Sequence, residues 1–274
     1  MTSTVELQKT PRIIWEKLPD DYILPDDPVD NISQPLLASA LTEALELSGL
    51  VTPEMLIAVN MGICVKVDSK IVLKAPDWFF VPRVFPVADG TIRRSYTPHT
   101  EGEVPAIVME FLSETEGGEY SIRPIYPYGK LWFYEKIIKV PTYVIFEPDS
   151  GRLEVRQLGQ QDYEIQSPDG QGRYFIESIG LYLGVWHGTR LNLTTHWLRW
   201  WDEQGNLLLW GPERIAQDQQ RIQQAEVKAE QERQRAEQEH QRAEQERQRA
   251  EIAQQEIVRL QELLKNAGIS QEEN

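Results

Sequence analysis

The chain has 274 residues, 41% of them hydrophobic, and a net charge of −15. That is enough apolar material for a sizeable core, yet no stretch approaches the ~18 consecutive apolar residues of a membrane span. The acidic balance argues against avid, non-specific binding to a polyanion. The single cysteine, Cys64, excludes a disulfide framework and suits a reducing, cytoplasmic compartment. Within the run MGICVKV it reads as a small buried hydrophobe. The polar opening MTSTVELQKTPRIIWEKLPDDY has no apolar h-region, so no signal peptide is expected.

Residues 1–34 are rich in Pro and Asp, and LPDDYILPDDPVD predicts an extended N-terminal arm. QPLLASALTEALELSG has apolar residues at helical spacing followed by Gly, which predicts a helix capped near Ser33. Residues 49–61 have room for a second short helix. ICVKV, the turn Asp68-Ser69-Lys70 and IVLKAPDWFFVPRV then predict successive strands. Residues 87–103 form a loop, VPAIVMEFLS (104–113) a buried strand and residues 114–127 another loop. YGKLWFYEKIIK (128–139) reads as an amphipathic helix stopped by Pro141, and TYVIFEP (142–148) and RLEVRQL (152–158) as a hairpin around Asp149-Ser150-Gly151. Further short strands fill residues 160–212, with hairpin chemistry at Pro168-Asp169-Gly170 and at Glu203-Gln204-Gly205-Asn206. Among them Trp186, Trp197, Trp200, Trp201 and Trp210 have the spacing of a closing core layer more than of a stacking platform.

The character then changes. Residues 1–212 carry −11 of the charge and residues 213–274 carry −4. Ala229, Ala236, Ala243 and Ala250 recur every seven residues, and no Gly or Pro falls between Glu213 and Asn266. Glu232/Arg235, Glu239/Arg242 and Glu246/Arg249 at i,i+3 support a helix, as do Arg235/Glu239 and Arg242/Glu246 at i,i+4. Glu232, Glu239 and Glu246 occupy the second core position, so the apolar stripe is good only over Ala253, Ile257, Leu260, Leu263 and Leu264. The tail is therefore a solvated single helix or a weak coiled coil, ~75 Å long for about 50 residues. The expected organisation is an arm over 1–34, a folded unit over 35–212, a charged helix over 213–267 and a disordered end over 268–274.

Three polar residues sit in or beside apolar elements. Asp77 follows Pro76 in IVLKAPDWFFV, Glu110 lies near the end of VPAIVMEFL, and Lys130 opens the helix YGKLWFYEK. A carboxylate in a buried strand costs several kcal/mol unless it is paired or bound to a cation. Two on adjacent strands make a divalent-metal site, and a nearby Lys completes the parts for metal-assisted phosphodiester hydrolysis. Spacing alone does not establish this. His99, His187, His196 and His240 are dispersed and show no zinc-ligand spacing. No GxxxxGK[ST] or GxSxG is present, so neither a P-loop nor an esterase elbow is supported. Lys74, Arg93, Arg94 and Arg123 could line a phosphate groove or be ordinary surface cations.

The ordered set Pro76-Asp77, Glu110-Phe111-Leu112-Ser113, Lys130 with Tyr134, and Tyr143 to Glu147-Pro148 resembles the putative restriction endonuclease family of the PD-(D/E)xK nuclease superfamily. The closing LRWWDEQGNLL is also similar, and the resemblance covers about residues 35–212. It implies an α/β fold, a restriction endonuclease-like mixed sheet flanked by helices. It also implies Asp77 and Glu110 as ligands of Mg²⁺ or Mn²⁺, with DNA as substrate. The superfamily usually carries its Lys two residues after the Glu, where this chain has Leu112. The resemblance therefore points to Lys130 as the third catalytic residue, and to Lys136 only as a substitute. An acid often found four residues before the helical Lys is Tyr126 here, and Glu114 or Glu119 is left to replace it. Two readings stay open: a Mg²⁺-dependent endonuclease, or a non-catalytic scaffold that uses the same fold and the helical tail. In either, a homodimer could form through the folded unit or the C-terminal helix.

Overall fold

The computed structural model describes residues 12–17, 19, 32–88, 90–112 and 118–266. Most of the expected arm, Ser113, Glu114 and the end at 268–274 lie outside the described residues. The chain divides into two compact units, Met1–Gly211 and Pro212–Asn274.

The first unit is α/β. In chain order it contains β1 (Ile13–Ile14), α1 (Ser33–Leu47), β2 (Leu56–Ala58), β3 (Gly62–Val67), β4 (Lys70–Lys74), β5 (Trp78–Val81), β6 (Ser95–Tyr96) and β7 (Ile107–Phe111). There follow α2 (Lys130–Trp132), which runs on as a π-helical segment (Phe133–Ile138), β8 (Thr142–Glu147), β9 (Arg152–Leu158) and β10 (Tyr163–Ile165). The unit closes with β11 (Tyr174–Ile176), β12 (Leu181–Arg190) and β13 (Leu193–Trp201).

A mixed six-stranded sheet, ordered β10-β9-β8-β7-β5-β2, is the centre of the unit. Within this sheet, among the described residues, only β7 and β8 pair in parallel, because α2 and its π-helical extension carry the chain back across the sheet between them. Side chains alternate along each strand. Ile107, Met109 and Phe111 therefore share one core with Leu37, Leu41 and Leu45 of α1 and with Leu183, Trp197 and Trp200 of the sheet β11-β12-β13. Val108 shares the opposite core with Ile63 and Val65 of the small β3-β4 sheet and with Phe133, Tyr134 and Ile137. Glu110 has the parity of Val108 and faces this second layer.

Helix α1 begins without the expected cap. Ile32 is the N-cap residue and no side chain caps the helix. Its polar residues instead brace the sheet: the buried Gln34 amide donates to the Phe111 carbonyl at 2.9 Å, and the Trp78 indole N–H donates to Thr42 Oγ1 at 3.0 Å.

Residues 49–61 do not form the second helix. Leu56, Ile57 and Ala58 pair with Val81, Phe80 and Phe79 as an edge strand, and the ladder satisfies backbone groups that one helical turn would leave open. Pro168-Asp169-Gly170 is a turn but not a hairpin, since β10 pairs with β9 and β11 with β12. The long hairpin is β12–β13, which turns at Leu191 and Asn192 with φ of 49° and 63°. The tryptophans are core. Trp197 and Trp200 are fully buried, and the buried Arg199 guanidinium lies 3.4 Å from the centre of the Trp210 ring. Cys64 is buried too, and burial, with Glu101 adding to it, pushes its thiol up to about 11.

The second unit is helical: α3 spans Gly211–Asn266, 56 residues, and none of them is buried. The ion pairs along it are Arg233–Glu230 and Arg247–Glu251, among others, and not the combinations expected from the repeat. Exposed long side chains have several nearly equivalent partners at i±3 and i±4, which makes such choices energetically small. No described helix is long and apolar enough to cross a membrane.

A helix that buries none of its side chains is not expected to hold up the core of the preceding unit. A chain truncated after Pro212 should keep a cooperative thermal melt within a few degrees of the full-length value. Aggregation or loss of cooperativity in calorimetry would show otherwise.

Candidate active site

Pro76 and Asp77 stand where the chain leaves the β3-β4 sheet for the central one. Proline cannot donate to a ladder, so β4 ends before it and β5 starts after it. Trp78 pairs with Met109 in antiparallel register, which sets Asp77 beside Glu110. Asp77 is then fixed by the backbone: the Phe111 N–H donates to its Oδ2 at 2.5 Å.

Glu110 is the penultimate residue of β7, toward the carboxyl ends of the two parallel strands, where open α/β sheets place ligands. Its carboxylate is buried. The Lys130 ammonium reaches Oε2 at 3.2 Å, and the Tyr134 hydroxyl donates to Oε1 at 3.0 Å. Lys130 and Tyr134 are four residues apart and lie on one face of the helical segment, so a single turn of helix supplies both partners. The structure thus brings Asp77, Glu110 and Lys130 together.

A fourth residue joins them. Glu119, on the loop before α2, is buried, and its Oε1 lies 3.2 Å from the same Lys130 ammonium. Its other oxygen, Oε2, is buried without a hydrogen-bond partner among the described residues. The Tyr143 hydroxyl donates to the Glu119 carbonyl at 3.0 Å and holds the loop against β8. The sequence named Glu119 only as an alternative to Glu114; an acid in a loop has no periodicity to mark it as buried.

The electrostatics follow from this crowding. Burial raises the Glu110 carboxyl from 4.5 to about 8; Lys130 opposes the rise and Asp77 and Glu119 add to it. Burial alone would depress Lys130, but Glu110 and Glu119, with Asp77 behind them, raise it above its ordinary value. Two carboxyl groups, Glu110 and Glu119, share one ammonium, with Asp77 beyond them.

The other candidates lie elsewhere. Lys136 pairs with Asp162 and with Glu135 and is not the site lysine. Leu112 packs in the second core. Arg93 does not line a groove: its guanidinium bonds Glu101 at 2.8 Å and the Phe85 carbonyl. Arg94 and Arg123 are exposed and Lys74 is half-buried. Tyr126, in place of the missing acid, is at the surface under the Lys70 ammonium. His187 and His196, dispersed in sequence, are cross-strand neighbours with ring centres 4.8 Å apart. Among the described residues, however, no three His, Cys, Asp or Glu side chains stand in metal-holding geometry.

A family model described as Uma2, putative restriction endonuclease, matches residues 21–194, which include Asp77, Glu110, Glu119, Lys130 and Tyr134. No curated protein matches the chain.

Two outcomes follow from this geometry. The Glu110 carboxyl is raised in the folded state, so the folded protein keeps a proton that the unfolded chain releases above its ordinary 4.5. The stability tied to that proton is complete below that value and is lost as pH rises through about 8. The melting temperature of the metal-free protein should therefore fall over this range, by on the order of a few kcal/mol of stability. Glu110→Gln cannot ionise and should flatten the fall; equal slopes for the two proteins would contradict the assignment. Gly129, just before Lys130, is needed for close approach, because a Cβ there would lie 2.1 Å from the Ser121 carbonyl oxygen. Gly129→Ala should cost about 1–3 kcal/mol in denaturant unfolding, whereas Gly170→Ala, where a Cβ meets nothing, serves as the neutral control.

Proposed function

The chain belongs to the Uma2 putative restriction endonuclease family, and on that premise we propose that it is a metal-dependent endonuclease hydrolysing DNA phosphodiester bonds. The observation that carries the reading is the reach of Lys130, from a helix, to the buried Glu110 carboxylate beside Asp77. Where the superfamily pattern expects a lysine two residues after the Glu this chain has Leu112, and Lys130 reaches Glu110 from a different element.

The donor set suits a hard divalent cation. It is all oxygen, its carboxylates outnumber the local ammonium, and Glu119 Oε2 has no hydrogen-bond partner among the described residues. Asp77 and Glu110 would hold Mg²⁺ or Mn²⁺, and Glu119 would act through Lys130, whose ammonium it shares with Glu110. Once bound, the ion would supply Lewis-acid polarisation of the phosphate and a water of lowered pKa. The Phe111 N–H orients Asp77, and the Tyr134 hydroxyl fixes the rotamer of Glu110. Lys130, kept protonated by its carboxylates, offers a positive charge to the attacking water and to the phosphate as negative charge develops. The buried thiol of Cys64 is consistent with a reducing, cytoplasmic setting. The scaffold reading retains one observation in its favour, the −11 charge of residues 1–212, which opposes the approach of DNA at long range.

Purified protein with supercoiled plasmid decides between the two. Nicking that requires Mg²⁺ or Mn²⁺ is expected, with a loss of at least ~100-fold in Asp77→Asn and Glu110→Gln. Lys130→Ala should slow cleavage yet leave the metal-dependent rise in melting temperature largely in place. That rise should vanish in Asp77→Asn. Wild type that shows neither nicking nor a metal-dependent shift hands the case to the scaffold.

A further inference from the structure

The second core lies between two walls. The central sheet supplies one, and the small β3-β4 sheet supplies part of the other. Residues directly opposite in an antiparallel ladder point to the same side. On the small sheet Ile63 stands opposite Lys74, Val65 opposite Val72 and Val67 opposite Lys70. Ile63, Val65, Val67 and Val72 are all buried in the second core, so Lys74 and Lys70 face that side as well. Lys70 bears this out, since its ammonium lies 4.6 Å from the centre of the Tyr126 ring, on the loop that leads into α2.

The two acids face the same layer from the other wall. Trp78 and Met109 pair with each other and belong to the first core. Asp77 and Glu110, the residues beside them, have the parity of Phe79 and Val108 in the second. Lys74 is the last residue of β4, three residues before Asp77. Strand β3 starts at this end too: the N–H of Asn60, two residues before it, donates to the Asp77 carbonyl at 3.3 Å. Lys74 thus stands apart from the carboxyl cluster, on the small sheet, yet it is half-buried and turned toward the same end of the same layer.

A phosphodiester brought to Asp77 and Glu110 carries its charge into a segment of net −11. The Lys130 ammonium lies 3.2 Å from both Glu110 and Glu119, which offset much of its charge. A cation on the facing wall favours the approach of a phosphate. Lysine suits that place, because its ammonium is a point charge on a flexible four-carbon stem. We propose that Lys74 is a DNA-backbone contact of the candidate site and binds a phosphate of the substrate from the wall opposite Glu110. The inference rests on the endonuclease reading for its substrate. It assigns Lys74 to binding and not to the chemical step: Lys130 works at the reacting atoms, Lys74 on the backbone beside them.

Fluorescence anisotropy of a labelled DNA duplex, with Ca²⁺ offered in place of Mg²⁺, reads binding apart from cleavage. Lys74→Met keeps the apolar stem and removes the charge, with Lys74→Gln as a second neutral variant; Lys74→Arg keeps the charge. The neutral variants should weaken binding roughly tenfold and lower the slope of log K against log salt by about one. Lys74→Arg should restore both. The near-UV signal of the buried tryptophans and the metal-dependent rise in melting temperature should stay as in wild type. In plasmid nicking KM should rise while kcat stays within about threefold. Equal affinity and equal salt slope in wild type and both neutral variants overturn the inference. So does loss of the metal-dependent rise, which would place Lys74 in the carboxyl cluster, and so does a wild type that binds no duplex. The endonuclease reading fails separately: Lys74-dependent binding without nicking removes the enzyme and keeps the phosphate contact.

Discussion

The constraint on which the first unit turns is the buried Glu110 carboxylate. An acid on a central strand, with apolar neighbours on both sides, is costly unless it is compensated, and much of the surrounding structure serves that compensation. The helix that starts at Lys130 must lie over the end of β7 so that Lys130 and Tyr134 reach the two oxygens. Gly129 must lack a side chain so that the preceding loop can fold beneath that helix start. The loop in turn brings Glu119 to the same ammonium. On the other face, Gln34 and Thr42 of α1 bond Phe111 and Trp78, the residues next to Glu110 and Asp77. Both acids are thus placed by neighbours whose own positions are bonded from the opposite layer.

The cluster remains unbalanced after all of this. One ammonium bridges the carboxyl groups of Glu110 and Glu119 with Asp77 nearby, Glu110 is driven up to about 8 by burial, and one oxygen of Glu119 has no hydrogen-bond partner among the described residues. A structural ion pair evolved only for stability would gain from fewer charges. An excess of buried carboxyl groups over cations at the carboxyl ends of parallel strands is the arrangement that favours a cation. Holding that excess costs stability, which a bound cation would restore by linkage.

The two units obtain their order from opposite physics. In the first, apolar faces at period two and a sheet between two cores do the work, and the few polar residues inside are tied down one by one. In α3 nothing is buried within the chain. Its order comes from good helix formers and from Glu and Arg side chains at i±3 and i±4 along a period of seven. The −4 charge of this segment and the −11 of residues 1–212 therefore mean different things: the first is the remainder of a balanced pattern, the second a net field around the folded unit.

The sequence by itself marked the strands ICVKV, IVLK, WFFV, VPAIVMEFL and TYVIFEP and helices α1 and α3, because alternation and helical spacing are local signals; it singled out Asp77, Glu110 and Lys130 as polar residues beside apolar runs, but grouped them only through the resemblance, and it read as loop the residues 87–103 in which Ser95–Tyr96 pairs with β3. It could not show that Leu56–Ala58 would join a sheet edge, that β10 and β11 would belong to different sheets, or that Arg93 and Lys136 would be consumed by other acids. Pairing partners far apart in the chain decide each of these. Only the tertiary structure placed Glu119 at the site and Tyr134 on Glu110. A loop carboxylate and a helical tyrosine carry no periodic mark, and their role exists only once the end of β7, the start of α2 and the intervening loop meet at one ammonium.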